Sequence, residues 1–467
     1  MINYISTRGG GSPQSFEDVL LSGLAPGGGL YVPETFPALD LAALKGKSYN
    51  EIALAVMYPF VEGSIPRDDF AAMIDRAYAT FRHDETVPLH PLGDNLYIME
   101  QFYGPTIAFK DVALQLLGRL FDYVLKKRGE RVTIVGATSG DTGSAAIEGC
   151  RHSDQLDIFI LHPDGRVSDV QRKQMTTINA DNVYNIALDG SFDDCQNMVK
   201  AMFNDTQFRG DMNLSAVNSI NWARIMAQIV YYVTTALELG APEVQPTYIV
   251  PTGNFGNVFA AYCARKMGLP IKLVVATNEN DILTRFFESG EMKASGVKPT
   301  NTPSMDIEIS SNFERYLFDL LGRDSAALSE LMMQFKVRGA FAVSDEKITQ
   351  ARQDFTAFRA SEEEVLATIK TTFESTGYCL DPHTAVGVKV AHDLMDTIAG
   401  PIVALATAHP SKFPDAVEQA TGTRPALPDH LSDLFDKDEI MTTQPNTLKT
   451  VQDFVRKHSK INSKSAT

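Results

Sequence analysis

The chain has 467 residues, 44% of them hydrophobic and 21% charged, a composition that folds around a large core in two or three domains and leaves disorder to the ends. Asp and Glu outnumber Lys and Arg by 58 to 42, a formal net charge of −16. That acidity argues against a general nucleic-acid binder or a protein held on anionic lipid, and it obliges any anion site to be built locally, from one or two basic side chains and backbone N–H groups.

In chain order, helical patterns are expected around 15–24, 39–60 and 66–81, with "LAPGGGLYVPETFP" (24–37) as an ordered loop. From about residue 90, short apolar runs alternate with helical periodicity. "NLYIMEQ" precedes a helix beginning near Phe109, "RVTIVGA" one from about 142, "DIFILHP" one over 167–177 and "NVYNIAL" one over 191–204. "PTYIVPT" then leads into 256–267, "IKLVVATN" into 279–289, and a buried strand returns at "PIVALAT" (401–407). This alternation predicts an α/β protein with two open parallel-sheet lobes. The expected division is an N-terminal unit over 1–88, a smaller lobe over 89–215, a larger lobe over 216–425, and a C-terminal helical segment with a frayed polar tail over 426–467. The cysteines, Cys150, Cys195, Cys263 and Cys379, make no CxxC, and the first residues, "MINYISTRGGGSPQSF", lack the pattern of a secretory leader. With no apolar run long enough to span a bilayer, the expectation is a soluble cytoplasmic protein with reduced thiols and no membrane partner.

Five segments could carry chemistry. From "GPTIAFKDVALQ" (104–115) onward the residues Phe109, Val112, Ala113, Leu116, Leu117, Leu120 and Phe121 share one helical face, and Lys110 sits beside it. Such a lysine either snorkels to water or is held dry with a lowered pKa, as a Schiff-base lysine needs. "VGATSGDTGSAA" (135–146) runs a strand into small residues before a helix. It reads either as an anion-binding helix start or as a plain capped helix with Asp141 or Thr142 as N-cap. "VPTGNFGNVFAA" (250–261) crowds Gly253, Asn254, Phe255, Gly256 and Asn257 at a second strand end. Those residues suit an N–H cradle for phosphate, and equally a tight turn.

"VNSINWARIMAQ" (217–228) gathers Asn218, Ser219, Asn221 and Arg224 at a helix expected to begin near Ser219; they form a second anion site, or only a cap with an exposed arginine. Thr407, at the end of the last strand, could offer a hydroxyl to a ligand, whereas His409 beside it reads as a structural histidine. The nine histidines are scattered and HExxH is absent, so no metal site is expected. An amine, an anion cradle and a strand-end hydroxyl are the three fixtures that a pyridoxal phosphate ring requires, which favours the dry lysine.

With these segments the chain resembles the threonine synthases, a family within the fold type II (tryptophan synthase β-like) pyridoxal-phosphate enzymes. The resemblance spans nearly the whole sequence, from "STRG…FEDVLLSGLAPGGGLYVPE" through "GPTIAFKDVALQ", "TSGDTGSAA", "NSINWARI" and "PTGNFGN" to "TPSMDIEISSNFERYL" (302–317). It implies pyridoxal 5′-phosphate as cofactor, attached to Lys110. The phosphate would be wrapped by Gly253, Asn254, Phe255, Gly256 and Asn257, with Thr407 beside the ring nitrogen. Asp141, where related enzymes often carry Asn, would lie on the phenolic side. Ser139, Gly140 and Thr142 would meet the substrate carboxylate, and Asn218, Ser219 and Arg224 its phosphate. The implied reaction converts O-phospho-L-homoserine and water to L-threonine and phosphate, in a monomer or homodimer. A phospho-lyase yielding 2-oxobutanoate, a serine or threonine dehydratase, and a non-catalytic metabolite-binding protein are the alternatives.

Overall fold

The computed structural model describes residues 1–93 and 95–461. Two sheets carry the molecule. The larger has six strands in the order Thr356–Arg359, Lys272–Thr277, Thr247–Pro251, Ile402–Ala406, Leu96–Glu100 and Leu89–Pro91. All neighbours are parallel except the last pair. The smaller has five parallel strands, Thr442–Gln444, Val183–Leu188, Leu156–Pro163, Val132–Ala137 and Leu214–Ser215. Buried on both faces, the central strands are almost wholly apolar, as parallel sheets require.

Sheet membership does not follow contiguous stretches of chain. Leu96–Glu100, placed in the smaller lobe by the sequence reading, pairs with Ile402–Ala406 in the larger sheet. Thr442–Gln444 extends the smaller sheet rather than standing apart as a C-terminal piece. Lys457 and His458, expected within a frayed tail, close the helix Leu448–His458, whose C-terminal dipole the Arg456 and Lys457 charges suit. The remainder of that expected tail, from 462 onward, lies outside the described residues.

Several helices outside the cleft start where side chains cap them. Ser48, Ser191 and Ser361 each complete a capping box with the acidic residue three positions on. The N-terminal unit pairs Tyr4–Ser6 with Tyr31–Pro33 and adds the helices Phe16–Ser22, Tyr49–Val61 and Arg67–Tyr78. It is joined to the rest through Trp222, whose ring meets Tyr4, Phe36 and Phe60 at 6.0, 6.4 and 5.6 Å. An ion pair of 2.7 Å between Arg8 and Glu314 ties down its edge.

The helix Lys110–Arg128 is central. It packs on Arg67–Tyr78, Asp141–Cys150 and Trp222–Glu238; its first half, Lys110–Gly118, is buried around the whole circumference, and its second half along one face. Two glycines allow the closest crossing. A Cβ on Gly118 would stand 1.9 Å from the Gly149 carbonyl oxygen, and one on Gly149 would stand 2.3 Å from that of Leu114. Gly118→Ala should therefore lower stability by about 1–3 kcal/mol despite alanine's better helix propensity, read as a fall in the thermal midpoint. An unchanged midpoint would show that the two backbones can part without cost.

Candidate active site

The C-terminal ends of three adjacent strands in the larger sheet open on one cleft, the position where open parallel sheets collect ligands. Thr247–Pro251 leads to the 252–257 loop, Ile402–Ala406 to Thr407, and Leu96–Glu100 to the segment that carries Lys110. The cleft holds about 660 Å³ not filled by atoms, part of it open to solvent. Lys110, Thr142, Ser219, Arg224, the whole run Gly253–Asn257 and Thr407 all line it.

Lys110 reaches the cleft because its loop is stitched to a neighbouring strand end. Phe109 N–H donates to the Thr407 carbonyl at 2.8 Å, and His409 N–H to that of Ile107 at 3.0 Å. Ile107 adopts a left-handed φ of 54° to make this bridge. Behind the loop, the buried Asp111 carboxylate accepts from Thr106 N–H and Oγ1, both at 2.8 Å. Burial pushes the Asp111 carboxyl up to about 6, against the pull of Lys412 and these hydrogen bonds.

Lys110 is the first residue of its helix and only 8% exposed. Its ammonium donates to Asp141 Oδ2 at 2.9 Å. Burial, joined by the nearby cations Lys412 and Arg224, holds its pKa below the ordinary lysine value although Asp141 pulls the other way. Burial alone would raise the Asp141 carboxyl; Lys110 and Lys412 overcome it and keep the carboxylate ionised far below the usual range. Each Asp141 oxygen takes two donors: Lys110 and Ser304 Oγ (3.0 Å) on one, Gln171 Nε2 (2.7 Å) and Lys412 Nζ (3.1 Å) on the other.

Asp141 therefore does not cap its helix, contrary to one sequence reading. Gly140 occupies the N-cap position with φ 138°, and the Thr138 hydroxyl accepts from Gly140 and Gly143 N–H, both at 2.9 Å. Thr142 faces the cleft, while Gly140 abuts the Gln171 side chain and Ser139 is half-buried in the turn before it.

The Gly253–Asn257 turn is shaped from outside. Ser310 Oγ donates to the Gly253 carbonyl at 2.7 Å, and Asn312 donates to the Asn254 carbonyl through N–H and Nδ2 at 3.0 and 3.1 Å. Phe255 takes a left-handed φ of 61°, and the helix Gly256–Lys266 begins with no side chain capping it. Its first N–H groups are thus available to an anion. Asn257 lines the cleft, but its side-chain oxygen is engaged by the hydroxyls of Tyr231 and Tyr232.

At the fourth segment the helix begins later than expected, at Trp222, because Asn221 caps it by accepting from Ala223 N–H at 3.0 Å. Arg224 is 3% exposed, and its Nε and Nη1 have no hydrogen-bond partner among the described residues; neither does Asn218 Oδ1. Burial lowers the Arg224 guanidinium to about 10. A buried arginine with open donors is costly unless an anion completes it.

Four participants escaped the sequence reading. Lys412 and Gln171 complete the Asp141 cluster, and Ser304 and His383 line the cleft. His383 Nδ1 meets Asp381 at 3.0 Å while its Nε2 accepts from Ser304 N–H at 3.3 Å. The one available signal was a lysine lodged between Ser411 and Phe413, six residues past the end of an apolar strand. His409 is structural as expected: its ring caps Ser411, and burial takes its pKa down to about 4. Among the described residues no group of His, Cys, Asp and Glu could hold a metal, no helix is long and apolar enough to cross a membrane, and all four thiols are free.

The residues present fit pyridoxal phosphate. A buried amine of lowered pKa, an uncapped helix start in a turn of glycine and asparagine, and a strand-end hydroxyl share one cleft, and the orphaned donors of Arg224 leave a place for a second anion. Comparison with known proteins agrees. Residues 85–408 match the family model described as pyridoxal-phosphate dependent enzyme, residues 3–78 that for the threonine synthase N terminus, and residues 384–455 that for the threonine synthase C-terminal region. The chain is 55% identical to the threonine synthase of Pseudomonas aeruginosa over 98% of both chains. It is 44% identical to that of Schizosaccharomyces pombe over 95% of this chain and 96% of the other. The crystal structure of pyridoxal-phosphate-bound threonine synthase from Brucella melitensis superposes with a TM-score of 0.96 at 53% identity, covering 98% of this chain and all of that one. The yeast enzyme superposes at 0.93 with 41% identity over 98% of each. By sequence and by fold, the chain belongs to the threonine synthase family of pyridoxal-phosphate-dependent enzymes.

Proposed function

We propose that this chain converts O-phospho-L-homoserine and water to L-threonine and inorganic phosphate. Arg224 carries the reading: a buried guanidinium with unused donors, sharing a cleft with Lys110 and the Gly253–Asn257 turn, provides for a phosphate beyond the cofactor's own. A serine or threonine dehydratase has no use for that second site.

Pyridoxal phosphate, when bound, supplies the electron sink that makes the carbon beside the substrate amine acidic. In this reading Lys110 holds the cofactor aldehyde, and the N–H groups of Gly253, Asn254, Phe255, Gly256 and Asn257 hold its phosphate. Thr407 would meet the ring nitrogen and Asp141 the phenolic side, both standing in or beside the cleft. Lys110 would serve as base at Cα and then at Cβ, and its burial, which lowers its pKa from the ordinary lysine value, favours that role. Arg224, Asn218 and Ser219 bind the substrate phosphate and stabilise it as it leaves Cγ. Ser139, Gly140 and Thr142 orient the carboxylate, so that water adds at Cβ of a fixed substrate. In this reading the protein is a monomer or a homodimer. Unpaired thiols suit the reducing cytoplasm.

Proton NMR of the protein with added O-phospho-L-homoserine should show threonine appearing in step with free phosphate. Production of 2-oxobutanoate without threonine would replace this reading with a phospho-lyase. Borohydride reduction of the cofactor-loaded protein should fix the cofactor on Lys110; a label on another lysine would overturn the assignment.

A further inference from the structure

Lys412 is 0% exposed, among the most completely buried charged side chains in the molecule. It stands just past the strand Ile402–Ala406, where its ammonium donates to the Thr106 carbonyl at 2.8 Å and pairs with Asp141 Oδ1 at 3.1 Å. Lys110 pairs with the other oxygen of the same carboxylate at 2.9 Å. One carboxylate thus faces two buried ammonium groups.

That imbalance has a chemical consequence. A buried lysine whose carboxylate is its own would be kept protonated by it, since separating the pair strands a charge in a dry site. A nucleophilic lysine must be able to lose that proton. With Lys412 charged, the Asp141 carboxylate is balanced while Lys110 is neutral. The remaining charged groups do not alter the sign. Arg224 faces Lys110 as a further cation, and His383 acts on Asp141 in the same sense as the lysines. Asp111, the other buried carboxyl near Lys412, is held by Thr106 and offsets only part of the Lys412 charge at longer range, while Asp141 is the carboxylate in ion-pair contact with both lysines.

We propose that Lys412 is a positioning residue for Lys110: by claiming the Asp141 carboxylate as its counter-ion, it frees the Lys110 amine to act as nucleophile and base. The inference deepens the role given to Lys110 above and rests on it. It also accounts for the four-donor shell of Asp141, in which Gln171 and Ser304 hold the carboxylate where both lysines reach it.

Competitive labelling with acetic anhydride over a range of pH, applied to the full chain cleared of cofactor and read lysine by lysine in a mass spectrometer, measures the protonation of Lys110 without any turnover. Lys412→Met should move the Lys110 profile to higher pH and slow its labelling at a fixed lower pH by about tenfold, the effect of one unit. Asp141→Asn should move it the other way. The double variant, which removes both charges of the pair, should return it close to the parent. A Lys412→Met profile that coincides with the parent, or a double variant no different from Lys412→Met, overturns the proposal. Should Lys412→Met not fold, the double variant against Asp141→Asn decides the matter, and coinciding profiles there overturn it as well. The borohydride mapping above is independent: a label elsewhere removes Lys110 as the cofactor's lysine, whereas a flat response to Lys412 removes only its role as counter-ion.

Discussion

Lys110→Ala should abolish threonine formation, lowering turnover of O-phospho-L-homoserine by about 10³-fold or more, because the positioned base alone is worth on the order of 10²–10⁴. The same variant should stay folded. Asp141 loses one of its partners but keeps Lys412, Gln171 and Ser304, so no buried carboxylate is left stranded. The thermal midpoint of the substrate-free protein should therefore hold while activity vanishes and borohydride no longer fixes the cofactor to the chain. Residual turnover within tenfold of the parent would move the proton-transfer role to another group. A collapse of the midpoint would show that Asp141 depends on Lys110 more than on Lys412.

The second large effect concerns Arg224, and it runs in two directions. Without substrate, its Nε and Nη1 are buried and unpaired, a cost of about 1–3 kcal/mol for a buried unsatisfied group. Arg224→Met keeps most of the apolar stem and removes that cost, so the substrate-free protein should melt higher. With substrate, the variant forfeits the charge-assisted hydrogen bonds to phosphate, each worth about 1.5–3 kcal/mol, and kcat/KM should fall roughly a hundredfold or more. A loss in kcat alone would mean that the arginine acts chiefly on the departing phosphate; a loss in KM alone would mean that it holds the phosphate throughout. A variant that is neither more stable nor slower would sink the assignment of a phosphate to this position. Arg224→Lys should recover little, since a single ammonium cannot reproduce the planar fork of donors.

Much of the architecture was legible without coordinates. The alternation of "RVTIVGA", "DIFILHP" and "NVYNIAL" with amphipathic stretches corresponds to Val132–Ala137, Leu156–Pro163 and Val183–Leu188 with their intervening helices. Turn chemistry was legible as well: two glycine-rich strand ends mark where the backbone leaves a sheet with its N–H groups exposed, and that requirement is written in adjacent residues. Errors arose wherever one side chain outbid its local rule. Asn221 moves a helix start from near Ser219 to Trp222 by capping it, and Asp141 leaves the cap position to pair with two ammonium groups.

Composition, periodicity and motif spacing were enough to settle the α/β class, the acidic surface that forces any anion site to be local, and the segments from which a cleft would be made. Those properties arise between neighbours in the chain, within one turn of helix or one pleat of strand, so the string of residues contains them in full. Sheet partnership and charge balance arise between residues hundreds of positions apart. Leu96–Glu100 finds its place beside Ile402–Ala406, and Asp141 draws in Lys412, only once the chain has closed on itself. Whether the lysine at 110 snorkels or stays dry belongs to this second kind. The answer depends on how many cations share one buried carboxylate, and that count exists only in the folded molecule.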